Sequence, residues 1–149
     1  MQHVKLKPVK AQTQERLRQT GRVQRQKEDE GLTGFVQGWP ASDIEERFAR
    51  ALNKNKRVDS YQFQVQYYAG KNLPGEIRLD FMVKAGFDYP IMIDGEYAHK
   101  SAEAKAHDMV QRQRLDMILL GTGAMPTQSV DGMLLQTQEE ADAVVRRLF

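Results

Sequence analysis

The chain has 149 residues, 40% of them apolar and 28% charged, which suits one soluble domain with a modest hydrophobic core. It contains no cysteine, which excludes a disulfide framework, a thiol nucleophile and any cysteine-based zinc site, and is compatible with a reducing cytoplasm. The net charge of +2 hides an asymmetry: residues 1–27 carry eight Lys and Arg against the single acid Glu15, a local +7 that leaves the remainder at −5.

That basic stretch belongs to an arm, residues 1–35, rich in Gln, Lys and Arg and without an apolar stripe wide enough to bury. Cations such as Arg16, Arg18, Arg22 and Arg25 are suited to a polyanion, because neutralising phosphates releases counterions. A solvated polar tail explains the same composition. No aromatic residues are interleaved among the cations, so base stacking on the arm is disfavoured. No apolar run approaches a membrane span, and the N-terminus lacks the apolar core of a signal peptide.

A compact domain is expected over 36–149, with Trp39-Pro40 leading into its first helix. Ser42 followed by Glu45 is a capping-box pattern. Ile44, Phe48, Ala51 and Leu52 then form one buried stripe. Glu45 lies beside that stripe and Glu46 points away from it, so Glu45 can approach the body of the protein while Glu46 is expected in solvent. Capping alone also accounts for Glu45.

Residues 61–67 alternate apolar and aromatic side chains with glutamines, a strong strand signal. A loop at 70–75, a strand at 77–83, a turn around Ala85–Asp88 and a strand at 89–94 follow, the last two strands apolar enough for the middle of a sheet. Ser101 opens a long helix reaching about Leu120. One of its faces runs from Leu115, Ile118 and Leu119 back to Asp108, Gln111 and Arg112. A competing face holds Ala106, Val110, Met117 and Leu120. Gly121-Thr122-Gly123 ends that helix. A last strand is expected within 129–135, unless Asp131-Gly132 marks a turn. Thr137 caps a final helix whose core face is Ala141, Val144, Val145 and Leu148. Helix, three strands, helix, strand, helix is an α/β pattern: a mixed central sheet flanked by helices.

The chemistry-bearing residues gather on the second and third long strands. Asp80 lies in one. Asp94 and Glu96, at i and i+2, end the other and point to one face if the strand stays extended. Any one of these acids is ordinarily a solvated strand end. As a set they offer hard oxygen donors of the kind magnesium prefers. His99 can carry a proton near neutral pH, and Lys100 is placed to meet a phosphate. Gln64 and Gln66 fall on a polar strand face, solvated unless it borders the acids. Arg112 is expected to pair with Asp108. His3 and His107 sit in no comparable context. No P-loop, dinucleotide or nucleophile-elbow pattern is present.

An ordered series runs Ile44-Glu45-Glu46-Arg47-Phe48, Phe63-Gln64-Val65-Gln66, Leu73-Pro74-Gly75, Asp80-Phe81, Asp94-Gly95-x-x-x-His99 and Asp108-x-x-x-Arg112-x-x-Leu115. Over about residues 42–120 it resembles the PD-(D/E)xK nucleases, in the branch containing the very short patch repair endonuclease. The resemblance implies a restriction-endonuclease-like fold and a DNA endonuclease dependent on magnesium, with manganese able to substitute. It implies Asp80 as principal metal ligand, Asp94 as metal or water ligand, His99 as proton carrier and Glu45 as the helix carboxylate; Glu96 is expected in support from its place at i+2 from Asp94. Lys100, Arg112 and the arm arginines would contact DNA. A homodimer and the cytoplasm of a bacterial or phage-infected cell are compatible with it. The chain departs from the family in having Leu79 where a proline precedes the first acid, and Met92 or Glu96 at positions of the second acid and lysine. Those departures support the alternative of a catalytically inactive DNA-binding or structural protein on the same scaffold. A subunit whose arm binds RNA or another protein is a further alternative.

Overall fold

The computed structural model describes residues 31–68, 76–95 and 100–149. Arg16, Arg18, Arg22 and Arg25 of the arm, the expected loop at 70–75, and Glu96 and His99 lie outside the described residues. The chain forms two compact units: one from its described residues up to Lys54 together with Leu135–Leu148, the other from Asn55–Leu134 with Phe149.

The first unit opens with a short hairpin, β1 (Phe35–Val36) paired antiparallel with β2 (Trp39–Pro40). Its two loop residues, Gln37 and Gly38, have φ of 50° and 82°, the double positive φ that a two-residue hairpin of matching twist requires. Helix α1 (Asp43–Lys54) follows. Its capping box forms as the sequence indicates: the Ser42 amide donates to Glu45 Oε1 at 2.8 Å, and the Glu45 amide donates to Ser42 Oγ at 3.3 Å. Phe48, Ala51 and Leu52 are buried.

Glu46 corrects the periodicity argument, because it is buried rather than solvated. Residues 33–34 reach α1, and its carboxylate accepts from the amides of Thr33 (2.9 Å) and Gly34 (2.7 Å) and from Thr33 Oγ1 (3.0 Å). Arg50, one turn on, stands 3.4 Å from Glu46 Oε2. A carboxylate supplied with that many donors can be buried where a bare one cannot.

At the far end of the sequence, Thr137 caps α3 (Gln138–Leu148), its Oγ1 accepting from the Glu140 amide at 3.1 Å. The expected face of Ala141, Val144 and Val145 is buried, and α3 packs against α1. Polar contacts reinforce the pair: Gln138 Nε2 donates to the Arg47 carbonyl at 2.9 Å, and Lys54 meets Asp142 at 3.0 Å.

The second unit is a mixed four-stranded sheet in the order β3 (Ser60–Tyr68), β4 (Glu76–Ala85), β5 (Phe87–Asp94), β6 (Gln128–Asp131). Adjacent pairs among β3, β4 and β5 are antiparallel, and β6 runs parallel to β5. A parallel neighbour needs a long crossover, and α2 (Ala102–Leu119) supplies it. The apolar runs of β4 and β5 take the two central places, as expected. Their connection is tighter than the sequence suggests: Ala85 pairs with Phe87 around Gly86, whose φ is 79°.

Ser101 caps α2 through its Oγ and the Ala104 amide (3.1 Å). Of the two candidate faces, the one with Leu115 and Leu119 is buried, in a cluster with Ile77 and Leu79 of β4. Val110, Met117 and Leu120 on the other are exposed. A 3-10 turn (Leu120–Thr122) ends the helix at Gly123, which has φ of 78°. Strand β6 stops at Asp131, whose Oδ1 accepts from the Met133 amide at 3.0 Å, so a turn replaces the longer strand allowed by the sequence. No helix among the described residues is long and apolar enough to cross a membrane.

Candidate active site

The sheet ladder breaks around Asp80. On one side, β3 and β4 pair at Phe63↔Phe81 and resume at Val65↔Leu79, skipping Gln64, which has φ of 62°. A positive φ is uncommon for glutamine and marks a local interruption. Gln64 is buried, contrary to the solvated position most ordinary for its strand face, and the register puts it opposite Asp80. On the other side, the β4–β5 register ends at Phe81↔Ile91. Beyond that point β5 keeps its pairing with β6, through Ile91↔Gln128 to Asp94↔Asp131. In place of a ladder bond, Asp80 Oδ2 accepts from the Ile93 amide at 2.7 Å.

Side-chain alternation along β4 breaks at the same place. Ile77, Leu79 and Met82, which differ in parity, all border the cluster under α2, whereas Phe81 packs against Tyr61 and Phe63. The polar carboxylate thus enters the plane of the sheet and satisfies a backbone amide there.

This divergence opens a pocket of about 250 Å³. Ile77, Arg78 and Asp80 of β4 form one wall, and Met92, Ile93 and Asp94 of β5 another. Helix α2 contributes His107, Asp108 and Gln111, while Lys100 and Ser129 complete the lining. Asp80, Asp94 and Lys100 are therefore brought to one cavity. Lys100 Nζ spans it, 3.2 Å from Asp94 Oδ2 and 2.5 Å from Asp108 Oδ2. The hydrogen bond to Asp108 is the main influence raising the Lys100 pKa; partial desolvation opposes it, and Asp94 adds to the rise. The ammonium is accordingly charged across the neutral range.

The expected Asp108–Arg112 pair does not form among the described residues. Asp108 takes Lys100, which the chain delivers from the loop before α2, and Arg112 Nη1 donates to Ser129 Oγ at 2.9 Å, tying α2 to β6. Glu45 belongs to the first unit, where its Oε1 also accepts from Ser42 Oγ at 2.9 Å.

Sequence reasoning passed over His107, Arg78 and Ser129. The signal for His107 was present, since it stands one helical turn before Gln111 on the face running back from Leu115. Its Nε2 lies 3.4 Å from Gln111 Nε2, and Gln111 Oε1 is buried without a hydrogen-bond partner among the described residues, an acceptor open to water or a ligand.

Among the described residues, no group of three or more His, Asp or Glu side chains is arranged to hold a metal ion. The donor chemistry of Asp80 and Asp94 nevertheless suits magnesium, which commonly takes one or two carboxylates and completes its shell with water and substrate phosphate. No family model, curated protein or solved structure matches the chain significantly.

Proposed function

We propose that this chain is a magnesium-dependent DNA endonuclease with a PD-(D/E)xK-like active site at the divergence of β4 and β5. The observation that carries the reading is the pocket: two carboxylates from adjacent strands, Asp80 and Asp94, face one cavity that Lys100 spans. After the opening hairpin, the order helix, three strands, helix, strand, helix supports it too.

Asp80 and Asp94 would hold magnesium, or manganese in its place, and the ion would offset the charge gathering on a phosphodiester during hydrolysis. Lys100 brings a positive charge to the same cavity, where its ammonium, now shared by Asp94 and Asp108, can turn to a phosphate. Arg112, held at the rim by Ser129, is suited to a flanking phosphate. His99 and Glu45 belong to the proposal through the family resemblance, and Glu96 through its place two residues after Asp94. The basic arm would grip the DNA backbone without reading bases, so it contributes affinity rather than specificity. The setting is the cytoplasm of a bacterial or phage-infected cell.

The test is cleavage of supercoiled plasmid and of branched or mismatched duplexes, with magnesium, manganese or chelator, beside Asp80→Asn. Metal-dependent nicking lost in the variant supports the proposal. Cleavage by neither metal, or undiminished cleavage by Asp80→Asn, refutes it. A second reading, an inactive DNA-binding scaffold, draws on the engagement of both carboxylates. Asp80 Oδ2 already serves the Ile93 amide, Asp94 Oδ2 already meets Lys100, and Met92 offers no second acid. That reading predicts salt-sensitive DNA binding that persists in chelator and weakens when residues 1–30 are deleted.

A further inference from the structure

Asp94 and Asp108 share one cation. Lys100 Nζ stands 3.2 Å from Asp94 Oδ2 and also touches Asp108 Oδ2, in the cavity that Asp80 lines as well. The two contacts are not equivalent. The Asp94 side chain is 14% exposed and that of Asp108 is 47% exposed. A largely shielded carboxylate depends on a positive partner, whereas water can serve a half-exposed one.

Chain geometry separates the contacts too. Lys100 directly precedes Ser101, the N-cap of α2, and Asp108 lies on that helix. Their contact is local to one element, whereas the contact with Asp94 joins that element to the end of β5. Nζ can therefore give up Asp94 and stay on Asp108 by rotation of its flexible four-carbon stem, without movement of helix or strand.

Charge sets the direction of the exchange. With Lys100 between them, Asp94 and Asp108 set two negative charges against one positive. Asp80 and Asp94 together match a divalent cation only if neither is already neutralised, which leaves Lys100 and Asp108 to match each other. Lys100 kept at Asp94 would place an ammonium beside that cation on one carboxylate, a like-charge contact in a partly shielded cavity.

We propose that Lys100 is the resident counter-ion of the metal site: its ammonium satisfies Asp94 while no divalent cation is there, yields that carboxylate when one binds, and is retained by Asp108. This role rests on the metal-dependent reading of the cavity and adds to it a competition between the chain's own cation and the metal. It reconciles the engagement of Asp94 by Lys100 with service as a metal ligand.

Manganese binding to the full chain, freed of nucleic acid, tests it, with electron paramagnetic resonance counting the unbound aqua ion. Lys100→Met should bind manganese about tenfold more tightly than the parent, and Lys100→Gln should do likewise, with far-UV circular dichroism unchanged. Asp80→Asn should lose that binding. Asp108→Asn should weaken binding a few-fold in the parent, by depriving Lys100 of its second anchor, and by less in Lys100→Met. A lysine ammonium resonance missing from Lys100→Met should move when magnesium is added to the parent. If manganese binds through Asp80 but no more tightly in either Lys100 variant, or if the Lys100 resonance stays in place, the counter-ion role is overturned and the metal site stands. If manganese binds to none of these chains, or equally to Asp80→Asn, the metal-dependent reading falls and the counter-ion role with it. An equal loss from Asp108→Asn in both backgrounds makes Asp108 a ligand and overturns its part as anchor.

Discussion

Replacing Asp80 by Asn keeps an oxygen that can accept the Ile93 amide, whereas replacing it by Ala removes the acceptor observed there. Asp80→Asn is therefore expected to unfold in urea within about 0.5 kcal/mol of the parent, and Asp80→Ala to lose about 1–3 kcal/mol. On the nuclease reading both lose metal-dependent cleavage, so the pair separates structural from chemical loss. A similar contrast holds for neighbouring acids on α1. Glu46→Ala strips a buried carboxylate from two backbone amides and a hydroxyl, at a cost of about 3 kcal/mol. Glu45→Ala removes a capping-box partner and costs about 1 kcal/mol. Urea titrations of the two variants check the ranking. The lesser effect was legible in the sequence, because Ser42 and Glu45 are three residues apart and their geometry is local. The greater one was not, since the donors to Glu46 come from Thr33 and Gly34, across a fold-back that helical periodicity does not encode.

The strand and helix boundaries were readable where pattern and turn chemistry agree, as at the Ser101 and Thr137 caps and in the alternation of 61–67. Gly86 shows how a turn enforces the central hairpin. Its φ of 79° lies in the left-handed region, and a Cβ there would meet nothing within 4 Å. Gly86→Ala should thus destabilise through backbone strain alone, by about 1–2 kcal/mol, with Gly86→Asn milder because asparagine tolerates that region. Thermal melts of both variants decide whether strain or crowding controls the site. Two features of the candidate site left no mark in the sequence. The positive φ of Gln64 sits inside a regular alternating run, and the parting of β5 from β4 depends on its pairing with β6, about 35 residues further on. Helix α2 was half legible: both faces were apolar enough to bury, and only contact with Ile77 and Leu79 decides between them.

At the scale of the molecule, the order of the longer described elements was recoverable from periodicity; the hairpin at Phe35–Pro40 was not, and neither was the partnership of α1 and α3, because no local pattern says which helices meet. That partnership is strongly interdependent. Helix α1 has 12 residues and α3 has 11, lengths at which an isolated helix is marginal in water. Removing residues 137–149 should therefore cost more helix than the deleted segment contained. Circular dichroism should show α1 lost together with α3; retention of α1's signal would mean that it stands without its partner. The 83 residues between Lys54 and Gln138 also set a clock during synthesis. At about 5–20 residues per second, the ribosome takes roughly 4–17 s to pass from one helix to the other. Throughout that interval Phe48, Ala51 and Leu52 await the helix that α1 packs against, and every strand of the four-stranded sheet is made before it ends. The first helix among the described residues is thus among the last elements to be completed, and until then its apolar face is open to chaperones and proteases.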